Sequence, residues 1–136
     1  MARKVLIVDD VSFVRKTIAK ILTDANYQIV GEAEDGQTAI QMYKKLRPDL
    51  VTMDVVMPNM GGIESTKKIC LMDKNAKIIM VSAMQQESLI MEAINAGARD
   101  YILKPFSAEE IVKTVDRLFS GDEQFVGGAM KKVQMR

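Results

Sequence analysis

The sequence predicts an α/β fold: a doubly wound, five-stranded parallel sheet with helices on both faces. Short β-branched, apolar segments alternate five times with segments whose apolar residues recur every three or four positions. The strands start near residues 4, 28, 50, 77 and 100, so each strand-helix unit spans 22 to 27 residues. This alternation is typical of a parallel sheet, and right-handed crossovers then set the handedness of each unit.

The predicted strands are short and mostly aliphatic, as expected for strands that are covered on both faces. Gly31 weakens the second of them. Each strand ends in a turn or at a polar residue. The predicted strands cover residues 4–8, 28–34, 50–54, 77–82 and 100–103.

Five helices are predicted from apolar periodicity and from start and stop signals. We expect Ser12 to cap the first helix and Gly97 to end the fourth in the left-handed conformation. Ser107 and Glu110 form a capping-box pattern at the start of the fifth helix. The predicted helices cover residues 12–25, 36–46, 62–72, 87–96 and 107–119.

The composition is that of one globular domain. Hydrophobic residues make up 48% of the 136 residues and charged residues 27%. With 19 basic and 18 acidic side chains, no bulk charge would recruit nucleic acid or anionic lipid. No apolar run is long enough to span a membrane and no signal peptide is evident, so we expect a cytoplasmic protein.

Two further facts of composition limit the available chemistry. The chain has no His, which excludes His-based nucleophile systems, His general bases and His metal ligands. Its single cysteine, Cys70, excludes an internal disulfide and a Cys-rich zinc site. Any chemistry must therefore rely on carboxylates, hydroxyls and lysines.

Polar side chains follow four of the five predicted strands. Asp9 and Asp10 follow the first strand, Asp54 and Ser82 end the third and fourth, and Lys104 follows the fifth. Each has an ordinary interpretation by itself, as a helix cap, a turn residue or a solvated side chain. Because the carboxyl ends of parallel strands share one edge, where ligands bind, their combination favours a common site.

A site of this composition suits a hard cation and a phosphoryl group. Two carboxylates about 5 Å apart repel by roughly 3 kcal/mol at an effective dielectric of 20, so three together require a cation. Oxygen ligands favour Mg²⁺, with Mn²⁺ as the alternative. An aspartate can attack phosphorus without any His in this chain, while Lys104 and Ser82 contact the phosphoryl oxygens.

Four motifs resemble the receiver domain of two-component response regulators. The motifs are Val8-Asp9-Asp10, Asp54-Val55-Val56-Met57-Pro58 with Gly62, Ser82-Ala83, and Lys104-Pro105-Phe106. They occur in the family's order and at its spacing within residues 1–119. The resemblance implies a flavodoxin-like strand order of 2-1-3-4-5 with five flanking helices, a receiver domain over residues 1–119 and a C-terminal extension over 120–136.

The resemblance also implies a role for each site residue. Asp54 would accept a phosphoryl group from the phosphohistidine of a sensor histidine kinase, and Lys104 and Ser82 would contact that group. Mg²⁺ would be held by Asp9, Asp10, Asp54 and the main-chain carbonyl of Val56. Tyr101 matches the family's aromatic switch position, with a half-buried core aromatic as the alternative. The peptide bond between Lys104 and Pro105 is expected to be cis.

Within the family, residues 49–54, 82–84 and 92–98 are similar to stand-alone chemotaxis regulators of the CheY type. The resemblance implies a monomer that signals by protein contact through the fourth helix, fifth strand and fifth helix. Its partners would be a histidine kinase, a flagellar motor switch protein and a phosphatase, without nucleic acid or membrane. Catalysis would be limited to the chain's own phosphorylation and dephosphorylation. A receiver in another two-component pathway or a phosphorelay is the alternative.

Two other classes fit the residues less well. A phosphatase of the haloacid dehalogenase type needs Asp-x-Asp after a strand, which neither Asp10-Val11-Ser12 nor Asp54-Val55-Val56 supplies. A flavodoxin-like cofactor carrier is disfavoured because Asp9 and Asp10 would repel a flavin phosphate.

The chain departs from the family pattern in three places. Gly61 stands where the family often has Asp, which is expected to loosen the loop after Asp54. Val56 and Met84 are apolar beside the expected site, which puts the lifetime of an acyl phosphate in question. The segment 120–136 has no counterpart in a minimal receiver. Its apolar residues would dock on the domain or a partner, or the tail would be solvated. These apolar residues are Phe125, Val126, Met130 and Val133.

Overall fold

A computed structural model describes residues 2–123, with side chains through residue 120. Its strands are β1 (Lys4–Val8), β2 (Gln28–Ala33), β3 (Leu50–Met53), β4 (Ile78–Ser82) and β5 (Asp100–Leu103). Its helices are α1 (Ser12–Asp24), α2 (Gly36–Leu46), α3 (Gly62–Met72), α4 (Glu87–Ala96) and α5 (Ala108–Glu123). All pairings are parallel and the strand order is β2-β1-β3-β4-β5. The predicted fold and strand order are confirmed.

Alternate residues of each strand enter two apolar clusters, one on each face of the sheet. From β1, Leu6 and Val8 pack in the cluster that α2, α3 and α4 cover. Val5 and Ile7 pack in the opposite cluster, with residues of α1 and α5. Each fully buried aliphatic side chain contributes about 1.5–3 kcal/mol. The sheet is therefore a rigid base for side chains at its carboxyl edge.

The start of α1 differs from the prediction. Val11 occupies the N-cap position, no side chain caps the first turn, and Ser12 is the first helical residue. The turn before the helix is organised by Asp9 instead, because its Oδ1 accepts the Val11 N–H at 2.9 Å. The predicted cap of α5 is present, since Ser107 Oγ accepts the Glu110 N–H at 3.0 Å.

Helix α4 ends at Gly97, as predicted, but in a somewhat different conformation. Gly97 ends α4 with the expected positive φ, but at +122° with ψ 0° it lies outside the usual left-handed region. A Cβ at this position would lie 2.5 Å from Cys70 Sγ, so both the dihedral angle and the space require glycine.

The helix α5 continues to Glu123, past the predicted end at residue 119. Gly121 lowers helix propensity without ending the helix. The remainder of the predicted extension, including Phe125, Val126, Met130 and Val133, lies outside the described residues. Among residues 2–123, none of the helices combines the length and hydrophobicity needed to cross a bilayer.

Candidate functional site

Three aspartates converge at the carboxyl edge of the sheet. Asp9 and Asp10 follow β1 and Asp54 follows β3, and one carboxylate oxygen of each lies within 4.8 Å of the others. The strand pairing extends into this edge, because the Asp54 N–H donates to the Val8 carbonyl at 3.0 Å. Asp9 and Asp54 are buried and Asp10 is exposed. The cluster is therefore open to solvent on the side of Asp10.

Lys104, just after β5, links the two buried carboxylates. Its Nζ lies 2.8 Å from Asp9 Oδ2 and 3.4 Å from Asp54 Oδ2, with 19% of its side chain exposed. The backbone places it there, because the Lys104 N–H donates to the Ser82 carbonyl at 2.9 Å. The peptide bond to Pro105 is cis. The ammonium thus reaches across the edge from β5 to residues that follow β1 and β3.

The electrostatics leave the cluster negative. Burial, reinforced by the charge of Asp9, raises the pKa of Asp54 although Lys104 opposes this. Burial works against the charged form of Lys104. The hydrogen bond to Asp9 and the charges of both carboxylates outweigh it and raise the Lys104 pKa. One ammonium faces three carboxylates, so the oxygen-rich cluster is suited to a hard divalent cation.

The carboxylate of Asp54 is held in one orientation. Its Oδ1 accepts the Val55 N–H at 2.8 Å, and its Oδ2 faces Lys104. The start of α3 lies against the same residue, since a Cβ at Gly62 would overlap the Asp54 carbonyl oxygen. The Gly62 N–H donates to the Val55 carbonyl at 2.8 Å. Only glycine lets α3 begin so close to Asp54.

The loop between Asp54 and α3 is fastened to the start of α2. Asn59 Nδ2 donates to Asp35 Oδ2 at 2.9 Å, and the Gly36 N–H donates to the Met60 carbonyl at 2.8 Å. These bonds tie down a loop that Gly61 was expected to loosen. The side chain of Val56 in this loop is 60% exposed beside the cluster.

Ser82 and Tyr101 are joined through the main chain of Met84. Ser82 is buried at the end of β4, and its Oγ accepts the Met84 N–H at 3.1 Å. Tyr101 is half-buried on β5, and its hydroxyl donates to the Met84 carbonyl at 2.7 Å. Ser82 therefore lies at the same edge as the aspartates, while its Oγ accepts from the main chain of Met84, to which the Tyr101 hydroxyl donates.

Sequence reasoning missed Arg15 and Glu32. Arg15 Nη1 donates to the Asp9 carbonyl at 2.7 Å, and its Nε donates to Glu32 Oε1 at 2.9 Å. The signal was an arginine one turn into the helix after Asp9 and an acid near the end of the second strand. It becomes informative only once β2 is known to lie beside β1.

Comparisons with known proteins agree with this arrangement. Residues 5–116 match the family model of the response regulator receiver domain. The chain is 48% identical over 118 residues to the chemotaxis protein CheY of Thermotoga maritima, covering 87% of this chain and 98% of that protein. It is 50% identical over 115 residues to protein CcdB of Bacillus subtilis, covering 85% and 96%.

A solved structure is also similar. The CheX-CheY-BeF3-Mg complex from Borrelia burgdorferi contains a chain that superposes with a TM-score of 0.84 at 37% identity, covering 86% of this chain and 89% of that one. The predicted resemblance is confirmed, with CheY chemotaxis proteins among the relatives. The chain belongs to the response regulator receiver domain family of two-component signalling.

Proposed function

We propose that the chain is a phosphorylation-activated switch in which Asp54 accepts a phosphoryl group from the phosphohistidine of a sensor histidine kinase. The observation that carries this proposal is the buried carboxylate of Asp54, beside Asp9 and facing the Lys104 ammonium. Chains of this family act in two-component signalling, and phosphorylation is implied by the family. The protein acts on its own phosphoryl group rather than turning over a substrate.

The transfer is a displacement at phosphorus. A carboxylate oxygen of Asp54 forms the new O–P bond while the P–N bond to the donor imidazole breaks, and the imidazole leaves with the bonding electron pair. The Val55 N–H restricts the rotation of the carboxylate by holding Oδ1. Lys104 offsets the charge that the phosphoryl oxygens bring to a partly buried site, and the Ser82 hydroxyl donates to one of them.

We propose Mg²⁺ as the resident cation, with Mn²⁺ as the alternative. Its ligands would be Asp9, Asp10, Asp54 and the main-chain carbonyl of Val56. The donor set fits, because the clustered groups are carboxylates and the cluster stays negative in the presence of Lys104. When bound, the ion neutralises carboxylate and phosphoryl charge. The Mg²⁺ named for the Borrelia burgdorferi complex supports this choice.

The bonds to Met84 suggest how the signal leaves the site. When the Ser82 hydroxyl turns to a phosphoryl group, it gives up its bond to the Met84 N–H. The carbonyl of Met84 is the acceptor that holds the Tyr101 hydroxyl. Tyr101 then rotates inward and reshapes the surface formed by α4, β5 and α5. Moving a population from 1:99 to 99:1 takes about 5.5 kcal/mol, and the phosphoryl group adds about −1.5 to −2 charge at the edge.

The output is a protein contact made by the α4-β5-α5 surface. This surface carries the exposed apolar side chains of Met91, Ile94 and Leu103. Identity of 48% to a chemotaxis CheY supports the flagellar motor switch as the target. The CheX named in the Borrelia burgdorferi complex supports a phosphatase as a second partner. The chain would act as a monomer.

The proposal is tested with beryllofluoride, which mimics a phosphoryl group, added in the presence of Mg²⁺. We expect amide NMR shifts to change at Asp54, Met84 and Tyr101, and not to change in Asp54→Asn. Asp24→Asn is a matched control, because Asp24 lies at the end of α1 in an exposed ion pair with Lys20 and outside the aspartate cluster. Shifts in the Asp54→Asn variant equal to those of the wild type would refute the assignment.

A further inference from the structure

The backbone of Asp9 is held by β2 on one side and by Arg15 of α1 on the other. Its N–H donates to the Ala33 carbonyl at 3.0 Å, and its carbonyl accepts Arg15 Nη1 at 2.7 Å. Arg15 is in turn bound by Glu32, the neighbour of Ala33, with Nε to Oε1 at 2.9 Å. Ala33 thus restrains the backbone of Asp9 directly, and Glu32 restrains it through the Arg15 guanidinium.

Both carboxylate oxygens of Asp9 also accept hydrogen bonds. Its Oδ1 accepts the Val11 N–H at 2.9 Å and its Oδ2 accepts Lys104 Nζ at 2.8 Å. Every polar group of Asp9 therefore has a bonding partner, although the residue lies in a turn between a strand and a helix. These bonds restrain the turn, and with it the backbone that carries the next residue, Asp10.

Arg15 is suited to this task and Lys16 is not. The side chain of Arg15 is 12% exposed, and its planar guanidinium donates to two different acceptors at once. Lys16 also binds Glu32, at 3.0 Å, but its side chain is 67% exposed and has a single charged nitrogen. Burial alone would raise the pKa of Glu32, yet hydrogen bonds from Lys16 and Arg15 lower it, so Glu32 stays charged.

We propose that Arg15 is a positioning residue: held by Glu32, it fixes the Asp9 carbonyl and so aims Asp9 and Asp10 at the cation that they share with Asp54. The cation part of this inference rests on the proposed function. The bonds from Glu32 to Arg15 and from Arg15 to the Asp9 carbonyl, here called the Arg15 clamp, are present in the turn without any metal. The effect of the clamp on the turn and its effect on cation binding can be measured separately.

The test compares four chains: wild type, Arg15→Lys, Glu32→Ala and the control Lys16→Gln. Arg15→Lys keeps the positive charge but loses the planar group whose separate nitrogens reach Glu32 and Asp9, so it separates geometry from charge. Glu32→Ala keeps Arg15 and removes its anchor. Lys16→Gln removes the other cation bound to Glu32. Amide hydrogen exchange without metal reports the turn, and calorimetry reports the dissociation constant of Mg²⁺.

We expect Arg15→Lys to weaken Mg²⁺ binding by about tenfold, the low end for groups that orient metal ligands. Exchange at the Asp10 and Val11 amides should quicken in Arg15→Lys and in Glu32→Ala, with the rest of α1 unchanged. Lys16→Gln should stay within about twofold of wild type. More Mg²⁺ should restore beryllofluoride binding to Arg15→Lys. Because Mg²⁺ also stabilises the folded state, the circular dichroism of the metal-free variant is compared with that of the wild type and should match it.

The outcomes separate the inference about Arg15 from the proposed function. Wild-type exchange and wild-type Mg²⁺ affinity in Arg15→Lys would overturn the inference, as would faster exchange spread evenly over β1 and α1. If Arg15→Lys does not fold, unchanged exchange and affinity in Glu32→Ala would overturn it. A wild-type chain that binds no Mg²⁺ would refute the proposed function, while the metal-free exchange would still judge the clamp.

Discussion

Removing the charge of Asp54 should stabilise the protein when no divalent cation is bound. Asp54 is buried, and its pKa is raised by that burial and by Asp9. A raised pKa means that the folded state disfavours the ionised carboxylate relative to the protonated one. Asp54→Asn keeps the shape of the side chain and an oxygen that accepts the Val55 N–H. The variant should therefore unfold at a higher urea concentration than the wild type in EDTA.

The size of the effect follows from opposing charges. At the 4.8 Å limit of the cluster and an effective dielectric of 20, repulsion between Asp54 and Asp9 is at least about 3.5 kcal/mol. Attraction to Lys104 at 3.4 Å is about 5 kcal/mol on the same scale. These terms are similar in size, so burial and the further charge of Asp10 decide the sign. The two charge terms differ by about 1.5 kcal/mol, so we expect a gain smaller than either of them.

Acidic pH and Mg²⁺ should each reduce the stability advantage of Asp54→Asn over the wild type. A group with a raised folded pKa stabilises fully below its unfolded pKa and loses that contribution as the pH rises through the folded value. The advantage of Asp54→Asn should therefore disappear as Asp54 is protonated in acid. Mg²⁺ at about ten times its dissociation constant should stabilise the wild type by about 1.4 kcal/mol and the variant by less.

The assay is urea unfolding followed by circular dichroism, in EDTA and in Mg²⁺. Asp24→Asn serves as the control, because Asp24 forms an exposed ion pair with Lys20 and should change stability by less than about 0.5 kcal/mol. An Asp54→Asn variant that is less stable than the wild type in EDTA would refute the electrostatic reasoning. So would an equal gain from Mg²⁺ in both chains.

Three further changes test the fold by urea unfolding. Thr52→Val should stabilise by about 1 kcal/mol, because the buried Thr52 hydroxyl has no partner in the described structure. Asp35→Ala should cost about 1 kcal/mol by removing the cap on the Thr38 N–H. That bond lowers the pKa of Asp35, so this cost should fade as the pH drops through the folded value. Gly97→Ala should cost about 1–3 kcal/mol and less in a Cys70→Ala background, which relieves the steric contact.

Each of these has a contrary result. A destabilised Thr52→Val would mean that the hydroxyl has a partner, such as a buried water. A cost of Asp35→Ala that grows in acid would contradict the cap. Equal costs of Gly97→Ala in both backgrounds would assign the whole effect to the positive φ and none to contact with Cys70.

The fold was predictable because each strand and helix carries its own pattern. Aliphatic segments such as residues 5–8 and 78–81 are buried on both faces, and the helices show one apolar side. The mistaken cap at Ser12 has a local cause. Serine is a good cap by type, but the Asp9 carboxylate already accepts the N–H of Val11, the residue at the N-cap. Both Asp9 and Ser12 can accept an N–H in this turn, and residue propensity does not decide which of them does.

The candidate site was predictable as a set of residues but not as a network. Strand ends place Asp9, Asp54 and Lys104 at one edge, because the carboxyl ends of parallel strands coincide there. The distances depend on which strands are neighbours, and the strand order came from family resemblance. The bonds from Arg15 to Glu32 and from Asn59 to Asp35 cross between elements that are far apart in sequence. No periodicity signals such pairs.

Phosphorylation of Asp54 is the central claim, and mass spectrometry after incubation with a small-molecule phosphodonor and Mg²⁺ tests it most directly. We predict one added phosphoryl group that is labile to base, located by fragmentation on Asp54, and absent from Asp54→Asn. A phosphoryl group on another residue, or labelling of Asp54→Asn at the wild-type rate, would contradict the assignment of Asp54 as the acceptor.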